Sequence, residues 1–187
     1  HPYLQRLNRI RQLGLSFFVY PGAMHSRFLH SLGAMHLMRE AIGSLREKGV
    51  EITDNEATAS MAAILLHDVG HGPFSHVMEH TLVEGITHEE ISLMMMEKMR
   101  DELAEQDREL LNLAIAIFKD EYPKHFLHQL ISSQLDVDRL DYLCRDSFFC
   151  GVTEGSVASA RILKMMNVTA DGHLVVEAKG IYSVEKF

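Results

Sequence analysis

The chain has no long apolar run, few cysteines and no excess of positive charge. Its longest uninterrupted apolar stretch, Met61 to Leu66, is far shorter than the roughly 18–20 residues that a transmembrane helix needs. The two cysteines, Cys144 and Cys150, fit neither a zinc-binding pair nor a disulfide framework, so we expect a reducing, cytoplasmic location. The net charge of -8 repels nucleic acids and anionic membrane surfaces, so an anionic substrate would have to be attracted locally.

The chain does have enough apolar residues for a core, together with many histidines. Of its 187 residues, 47% are hydrophobic, which is sufficient for one domain. The 12 histidines are unevenly spread, which indicates metal or proton chemistry. Both ends fall inside helical patterns, so we expect residues 1–187 to be a single catalytic core within a longer protein.

Helical patterns dominate and predict a mostly α fold. A period near 3.6 predicts an opening helix that ends at Gly14 and a long helix that starts near Arg27. Thr53 or Asp54 can cap the next helix, with Glu56 in its first turn. Alternation after residue 166 predicts a β-hairpin over about residues 167–184. Further helices are predicted over residues 73–82, 88–102, 107–118, 123–133, 137–149 and 155–166.

The stretch "AAILLHDVGHGPFSH" ends an apolar helix on His67 and Asp68, whose imidazole and carboxylate suit a divalent transition metal. A metal-free, hydrogen-bonded pair is the alternative interpretation. His71 follows within a glycine-rich bend that lets the backbone turn closely around a ligand. His76 and Glu79 can meet at i, i+3 on the next helix, where the carboxylate would orient the imidazole.

Two further stretches carry polar residues at helical spacing. In "DVDRLDYLCRDS", Asp138, Arg139, Tyr142 and Asp146 fall within about 100° of arc on one helix face. That face offers carboxylates, a cation and a phenol, although a solvated helix face would look the same. In "YPGAMHSRFLHSLG", Arg27 and His30 could pair a phosphate-binding guanidinium with a metal-binding imidazole.

Together these blocks resemble the HD-domain phosphohydrolases, and within them the deoxynucleoside triphosphate triphosphohydrolases of the dGTPase and SAM-and-HD-protein-like group. The resemblance runs from "QRLNRIRQLGLSFFVYPGAMHSRFLHSLG" through "LLHDVGHGPFSHVMEH" and "THEEISLMMM" to "DVDRLDYLCRDSFFCGV". It implies an HD-domain helical bundle and a divalent metal, whose identity among Mn, Fe, Ni, Zn and Mg the sequence leaves open. One difference from a close relative is Glu79, which stands where that relative has Asp.

The resemblance also implies a role for individual residues. The metal ligands would be His30, His67, Asp68 and Asp138. The catalytic or phosphate-contacting imidazoles would be His71, His76 and His88, with Glu79 orienting His76. Arg27 and Arg139 would bind phosphate, Tyr142 and Asp146 the deoxyribose, and Gln12 and Leu13 would lie beside the sugar and base.

The implied reaction is metal-dependent attack of water at the α-phosphorus of a dNTP, which releases deoxynucleoside and inorganic triphosphate. An imidazole, His71 or His88, would protonate the departing 5′-oxygen. The resemblance further implies a homodimer or homotetramer and leaves open whether an activator nucleotide is required. The net charge predicts neither membrane nor nucleic-acid partners. The alternatives are an HD-class nucleoside 5′-monophosphatase, another HD phosphohydrolase, and a nucleotide-sensing HD module without turnover.

Overall fold

Helices make up most of the fold, and a short hairpin lies near the C-terminal end, as the sequence predicts. The computed structural model describes residues 1–74, 85–155 and 157–185. Within these residues, no helix combines the length and apolar character needed to cross a membrane. The described α-helices are α1 (Pro2–Gln5), α2 (Arg27–Glu47), α3 (Asp54–Leu66), α4 (His88–Glu102), α5 (Glu105–Phe118), α6 (His125–Gln129), α7 (Val137–Cys150), α8 (Ser159–Met165) and α9 (Ile181–Val184).

The long helix α2 lies at the centre of the core. Ala34, Met38, Ala41 and Leu45 are fully buried, and their spacing of three or four residues places them on one face of the helix. Helix α2 packs against both α3 and α7, and α3 packs in turn against α5. The first turn of α2 is thereby held close to α7 and to the end of α3.

Two capping boxes fix where helices α3 and α4 begin. The Thr53 hydroxyl accepts the Glu56 backbone N–H, and the Glu56 carboxylate accepts the Thr53 backbone N–H. Thr87 and Glu90 form the same arrangement at α4. The predicted cap at Thr53 and the predicted helix over residues 88–102 are both confirmed.

The predicted opening helix is wrong beyond its first turns. Helix α1 gives way to a 3₁₀ helix at Arg6–Arg9, and Ile10 is extended. The Gln12 backbone N–H then donates to the His25 carbonyl at 3.0 Å, and the Arg27 N–H donates to the Ile10 carbonyl at 2.9 Å. Pairing with a segment distant in the sequence therefore replaces the local helix, and residues 10–16 lie beside the first turn of α2.

Other boundaries differ from the sequence prediction near the C-terminal end. The helices predicted over residues 123–133 and 155–166 shorten to α6 and α8. The hairpin consists only of β1 (Met166–Val168) and β2 (Leu174–Val176), which pair antiparallel. A 3₁₀ helix (Ala178–Gly180) and α9 follow it, and Gly180 packs closely on Val176 and Met165. The helix predicted over residues 73–82 lies mostly outside the described residues.

Candidate functional site

Four helices bring the predicted site residues to one place. The first turn of α2 supplies Arg27 and His30, and the turn after α3 supplies His67, Asp68 and His71. Helix α4 begins with His88, and α7 contributes side chains one turn apart. The α7 residues that face the site are Asp138, Tyr142 and Asp146.

The predicted metal ligands surround one point between these helices. Asp138 Oδ1 lies 2.8 Å from His30 Nε2 and 3.2 Å from His67 Nε2. Asp68 Oδ1 lies 3.4 Å from His67 Nε2, and Asp68 Oδ2 lies 3.9 Å from His30 Nε2. His30, His67 and Asp138 offer ligand atoms that all lie within 4.8 Å of one another. Three of the four predicted ligands thus form one group, and Asp68 adjoins it.

Both histidines of this group turn Nε2 toward Asp138. His67 Nδ1 lies 2.6 Å from the Ile64 carbonyl oxygen, and His30 Nδ1 lies 2.8 Å from Asp141 Oδ2. Because these oxygens can only accept, each Nδ1 carries the hydrogen and each Nε2 keeps its lone pair in the neutral imidazole. His30 Nε2 is fully buried and meets the Asp138 carboxylate at 2.8 Å without the alignment of a hydrogen bond. Such a nitrogen is suited to binding a cation.

Charge around the group also favours a cation. Burial opposes the charged form of His30, yet the carboxylates of Asp138, Asp141 and Asp68 raise its pKa to about 10, so without a metal ion Nε2 also carries a proton, which a bound cation would replace. Burial would raise the pKa of Asp138, but His67 and His30 lower it. The site therefore holds ionised carboxylates in a buried position, and a bound divalent ion would experience the same attraction.

A second group lies beside the first and shares Asp68. Asp68, His71 and His88 also offer ligand atoms within 4.8 Å of one another. The rings of His71 and His88 stack with centroids 4.0 Å apart, and Arg27 Nη1 donates to Asp68 Oδ2 at 2.7 Å. Burial, together with the charge of Arg27 and the proximity of His88, lowers the pKa of His71 to about 4 against the opposing effect of Asp68. His71 is accordingly neutral near pH 7.

Contacts from two other elements fix the turn that carries Asp68 and His71. Arg6 Nη2 donates to the Val69 carbonyl at 2.6 Å, and the Gly70 N–H donates to the Ser92 hydroxyl at 2.8 Å. A Cβ atom at Gly70 would collide with the carbonyl of His88. The glycine thus lets the turn approach α4 closely enough for His71 to stack on His88.

A cavity of about 930 Å³ opens above the two groups, within the range of ~300–1,000 Å³ that is typical of small-molecule sites. The predicted contacts to sugar and base, Tyr142, Asp146, Gln12 and Leu13, all line it. Arg139 is exposed and its side chain interacts with Tyr142, and its predicted phosphate contact stays a prediction. His76 and Glu79 lie outside the described residues. The remaining lining residues are Arg11, Gly14, Leu15, Ser16, Arg27, Asp68, His71, Gly72, Phe74, His88 and Asp138.

Sequence reasoning missed several residues that support the site. Asp141 links His30 to Arg145, whose guanidinium donates to both Asp141 oxygens at 2.7 and 2.8 Å. His25 Nε2 lies 2.6 Å from Asp146 Oδ1. Arg11 lines the cavity and stacks its guanidinium over the Phe17 ring at 4.0 Å. The spacing of Asp141 three residues after Asp138 was the available signal, since both residues then face the same side of α7.

The fold and the site together define a helical protein with a histidine–aspartate cluster at the floor of a cavity. The family model described as "HD domain" matches residues 27–146. The chain belongs to the HD-domain family of phosphohydrolases.

The chain is similar to several known proteins, whose printed names differ from one another. "Uncharacterized protein YwfO" of Bacillus subtilis is 36% identical over 98% of this chain and 42% of its own length. A Dictyostelium discoideum protein named "Deoxynucleoside triphosphate triphosphohydrolase SAMHD1 homolog" is 32% identical over 96% of this chain and 38% of its own length. A phosphohydrolase crystal structure from Bacteroides thetaiotaomicron is 65% identical, with a TM-score of 0.94 over 100% of this chain and 45% of that one. The chain thus spans less than half the length of these relatives.

Proposed function

We propose that this HD-domain protein hydrolyses deoxynucleoside triphosphates to deoxynucleoside and inorganic triphosphate. Water would attack the α-phosphorus, the bond from phosphorus to the 5′-oxygen would break, and that oxygen would receive a proton. The observation that carries the proposal is the cavity of about 930 Å³ whose floor is the histidine–aspartate cluster and whose walls carry Tyr142, Asp146 and Gln12. The name of the Dictyostelium relative supports this choice of substrate.

The residues present fit a divalent metal ion. His30, His67, Asp68 and Asp138 would hold it, because they present two imidazole nitrogens and two carboxylates around one point. When bound, the ion would neutralise charge on the phosphate and make a coordinated water more acidic. This donor set suits Mn, Fe, Ni or Zn, and less typically Mg.

Phosphate binding would fall to the arginines nearest the cluster. Arg27 lines the cavity and is held by Asp68, so its guanidinium lies beside the position proposed for the α-phosphate. Arg139 would turn inward from its exposed position when triphosphate binds. Arg11 adds a second cation to the described cavity wall.

Proton transfer would use the imidazoles of the second group. His71 and His88 stack beside Asp68. His88 would protonate the departing 5′-oxygen, whereas His71, which burial keeps neutral near pH 7, would contact the phosphate. His76, oriented by Glu79, would add a further phosphate contact from the part of the chain outside the described residues.

Substrate selection would use other residues of the cavity wall. Asp146 would accept a hydrogen bond from the 3′-hydroxyl of the deoxyribose, and Tyr142 would pack beside the sugar ring. Gln12 and Leu13 would contact the sugar and base from the extended segment paired with His25.

The proposal is tested by product analysis of the full-length protein with Mn²⁺. The four dNTPs are supplied singly and mixed, and the products are separated by ion-exchange chromatography. We expect deoxynucleoside and intact triphosphate. Asp138→Ala should abolish both metal binding and turnover, whereas the matched control His36→Ala, an exposed histidine on α2, should change neither.

Other outcomes would reject the proposal in favour of a named alternative. Release of inorganic phosphate from nucleoside monophosphates alone would identify an HD-class monophosphatase. Nucleotide binding without turnover, with metal present, would identify a sensing module.

Turnover only with mixed dNTPs would support an activator nucleotide, and sedimentation of the active protein would test the proposed dimer or tetramer.

A further inference from the structure

His25 is a buried polar residue just before α2 that the proposed chemistry leaves without a role. Its side chain has no exposed surface, and its ring stacks on Phe149 with centroids 4.5 Å apart and an interplanar angle of 19°. Its Nε2 atom lies 2.6 Å from Asp146 Oδ1, whereas its Nδ1 atom is buried without a hydrogen bond. A buried imidazole with one such contact is poorly explained by packing alone, because an apolar ring would fill the space without an unsatisfied nitrogen.

The direction of the hydrogen bond follows from the acceptor. An ionised carboxylate can only accept, so the hydrogen is on His25 Nε2 and the imidazole donates to Asp146 Oδ1. A bond of 2.6 Å from a nitrogen to a charged oxygen is short, which is typical of a charge-assisted hydrogen bond. One carboxylate oxygen is thereby fixed.

Part of the Asp146 side chain is open to the cavity. The Asp146 side chain is 21% exposed and is one of the lining residues, whereas His25 lies entirely behind it. A rotation of the carboxylate about its side-chain bonds would break the contact with Nε2. The imidazole thus sets the angle at which Asp146 faces the cavity.

His25 also connects two walls of the cavity. Its carbonyl accepts the Gln12 backbone N–H at 3.0 Å, while its side chain holds Asp146 on α7. The loop before it is packed tightly on the end of α7, since a Cβ atom at Gly22 would collide with the Phe149 carbonyl. The position of the imidazole relative to α7 is therefore rigidly determined.

We propose that His25 is a positioning residue, which holds one oxygen of Asp146 so that the other accepts a hydrogen bond from a hydroxyl group of the substrate. The identification of that group as the 3′-hydroxyl of a deoxyribose rests on the proposed function. His25 does not contact the substrate in this arrangement. Its effect is confined to the hydroxyl that Asp146 recognises.

The test compares two variants, one of which keeps an aromatic ring and the other an N–H donor. His25→Phe keeps an aromatic ring against Phe149 and removes the donor, whereas His25→Gln removes the ring and keeps an amide donor at a similar reach. For each full-length protein, kcat and KM are measured with a 2′-deoxynucleoside triphosphate and with the 2′,3′-dideoxy analogue of the same base. The measured quantity is the ratio of the two kcat/KM values, which a general loss of folding would not change.

In the parent protein, the missing hydroxyl should lower kcat/KM by about 10- to 100-fold, as expected for a hydrogen bond to a charged acceptor. In His25→Phe the ratio should approach one, because the deoxy substrate would lose the hydrogen bond to Asp146 that the dideoxy substrate cannot make. His25→Gln should retain most of the parent ratio. A parent-like ratio in His25→Phe would overturn the proposal, and so would equal loss in both variants, which would assign the effect to ring packing.

Two further measurements keep this result distinct from the proposed function. Metal content and unfolding temperature of each variant show whether the change is local. If the parent hydrolyses neither triphosphate, the proposed function fails, and crystal structures of the parent and His25→Phe decide the positioning claim. A rotated Asp146 carboxylate in the variant would support the claim, and an unchanged carboxylate would overturn it.

Discussion

Asp141 shows how a residue outside the proposed ligand set can control a metal site. It accepts the Nδ1 hydrogen of His30 at 2.8 Å and is itself held by both Arg145 nitrogens. A Cβ atom at Gly33 would overlap this carboxylate and the Arg145 guanidinium, so the glycine leaves room for the pair beside α2. The carboxylate therefore fixes the His30 tautomer and directs Nε2 toward Asp138.

Asp141→Asn should weaken metal binding while leaving the ligand set intact. We expect the affinity for Mn²⁺ to fall by about 10- to 100-fold, because the amide is a weaker acceptor than the carboxylate and no longer balances Arg145. Titration calorimetry of the apo protein measures the change, with the exposed Asp171→Asn as the matched control. Unchanged affinity in Asp141→Asn would show that His30 does not need this partner.

Some residue-scale features of the site could be predicted from the sequence and others could not. The order of His67, Asp68 and His71 identified the cluster, because those residues are adjacent in the chain. His25 and Arg6 were missed, since their partners Asp146 and Val69 are distant in the sequence and come close only in the fold. Nothing in the local pattern around His25 distinguishes it from a surface histidine.

At the scale of elements, the same distinction between local and distant contacts separates correct from wrong predictions. Helix α3 was predicted well because its capping box is a local signal, and α4, whose range was also predicted, begins with the same motif. The segment at residues 10–13 has a helical apolar period but pairs with residues 25–27 instead. That pairing places Gln12 and Leu13 at the cavity. The helix predicted through Gly14 gave no reason to expect them there.

The capping box of α3 also links that helix to the loop before α6. Besides the Thr53 contact, the Glu56 carboxylate accepts the Tyr122 hydroxyl at 2.7 Å and the Lys124 ammonium at 2.9 Å. Burial alone would raise the pKa of Glu56, but Lys124, Thr53 and Tyr122 lower it to about 2 from its ordinary value of 4.5. The ionised form is therefore favoured in the folded protein.

Glu56→Gln should destabilise the protein in a pH-dependent way. Because the folded pKa lies below the unfolded one, the stabilisation by ionised Glu56 is complete above pH 4.5 and is lost as the pH falls toward 2. We expect a loss of about 1.5–3 kcal/mol in unfolding free energy at pH 7 that shrinks with acidification. Urea titrations at several pH values measure it, with exposed Glu40→Gln as the control. A loss that did not vary with pH would contradict this explanation.

The turn after α3 depends on close approach to α4. Gly70→Ala should lower the unfolding free energy by about 1–3 kcal/mol, because the added methyl group would overlap the His88 carbonyl and force the two elements apart. Gly72→Ala is the matched control in the same turn, since its Cβ atom would meet nothing within 4 Å. Thermal unfolding of both variants compares them. Equal stability would show that the turn can move away from α4 without cost.

At the scale of the whole molecule, the site concentrates buried charge where several helices meet. Asp68 follows α3, and Asp138 and Asp141 lie near the start of α7. All three are buried or half-buried, and their charges are balanced by imidazoles and by two arginines. Buried carboxylates are stabilising only when they are paired. A divalent ion that binds the folded chain would join α2, α3 and α7 through these groups.

Metal removal should therefore lower the stability of the whole domain. A ligand at 100 times its dissociation constant stabilises the state that binds it by about 2.7 kcal/mol, and unfolded chains do not hold four such ligands together. We expect chelation to lower the melting temperature and added Mn²⁺ to restore it. His67→Ala should melt at the same temperature with or without Mn²⁺, because the ion would lose a direct ligand. If the parent showed no response to chelation while retaining activity, the cluster would not be the metal site, and the carboxylates would be balanced by the imidazoles and arginines alone.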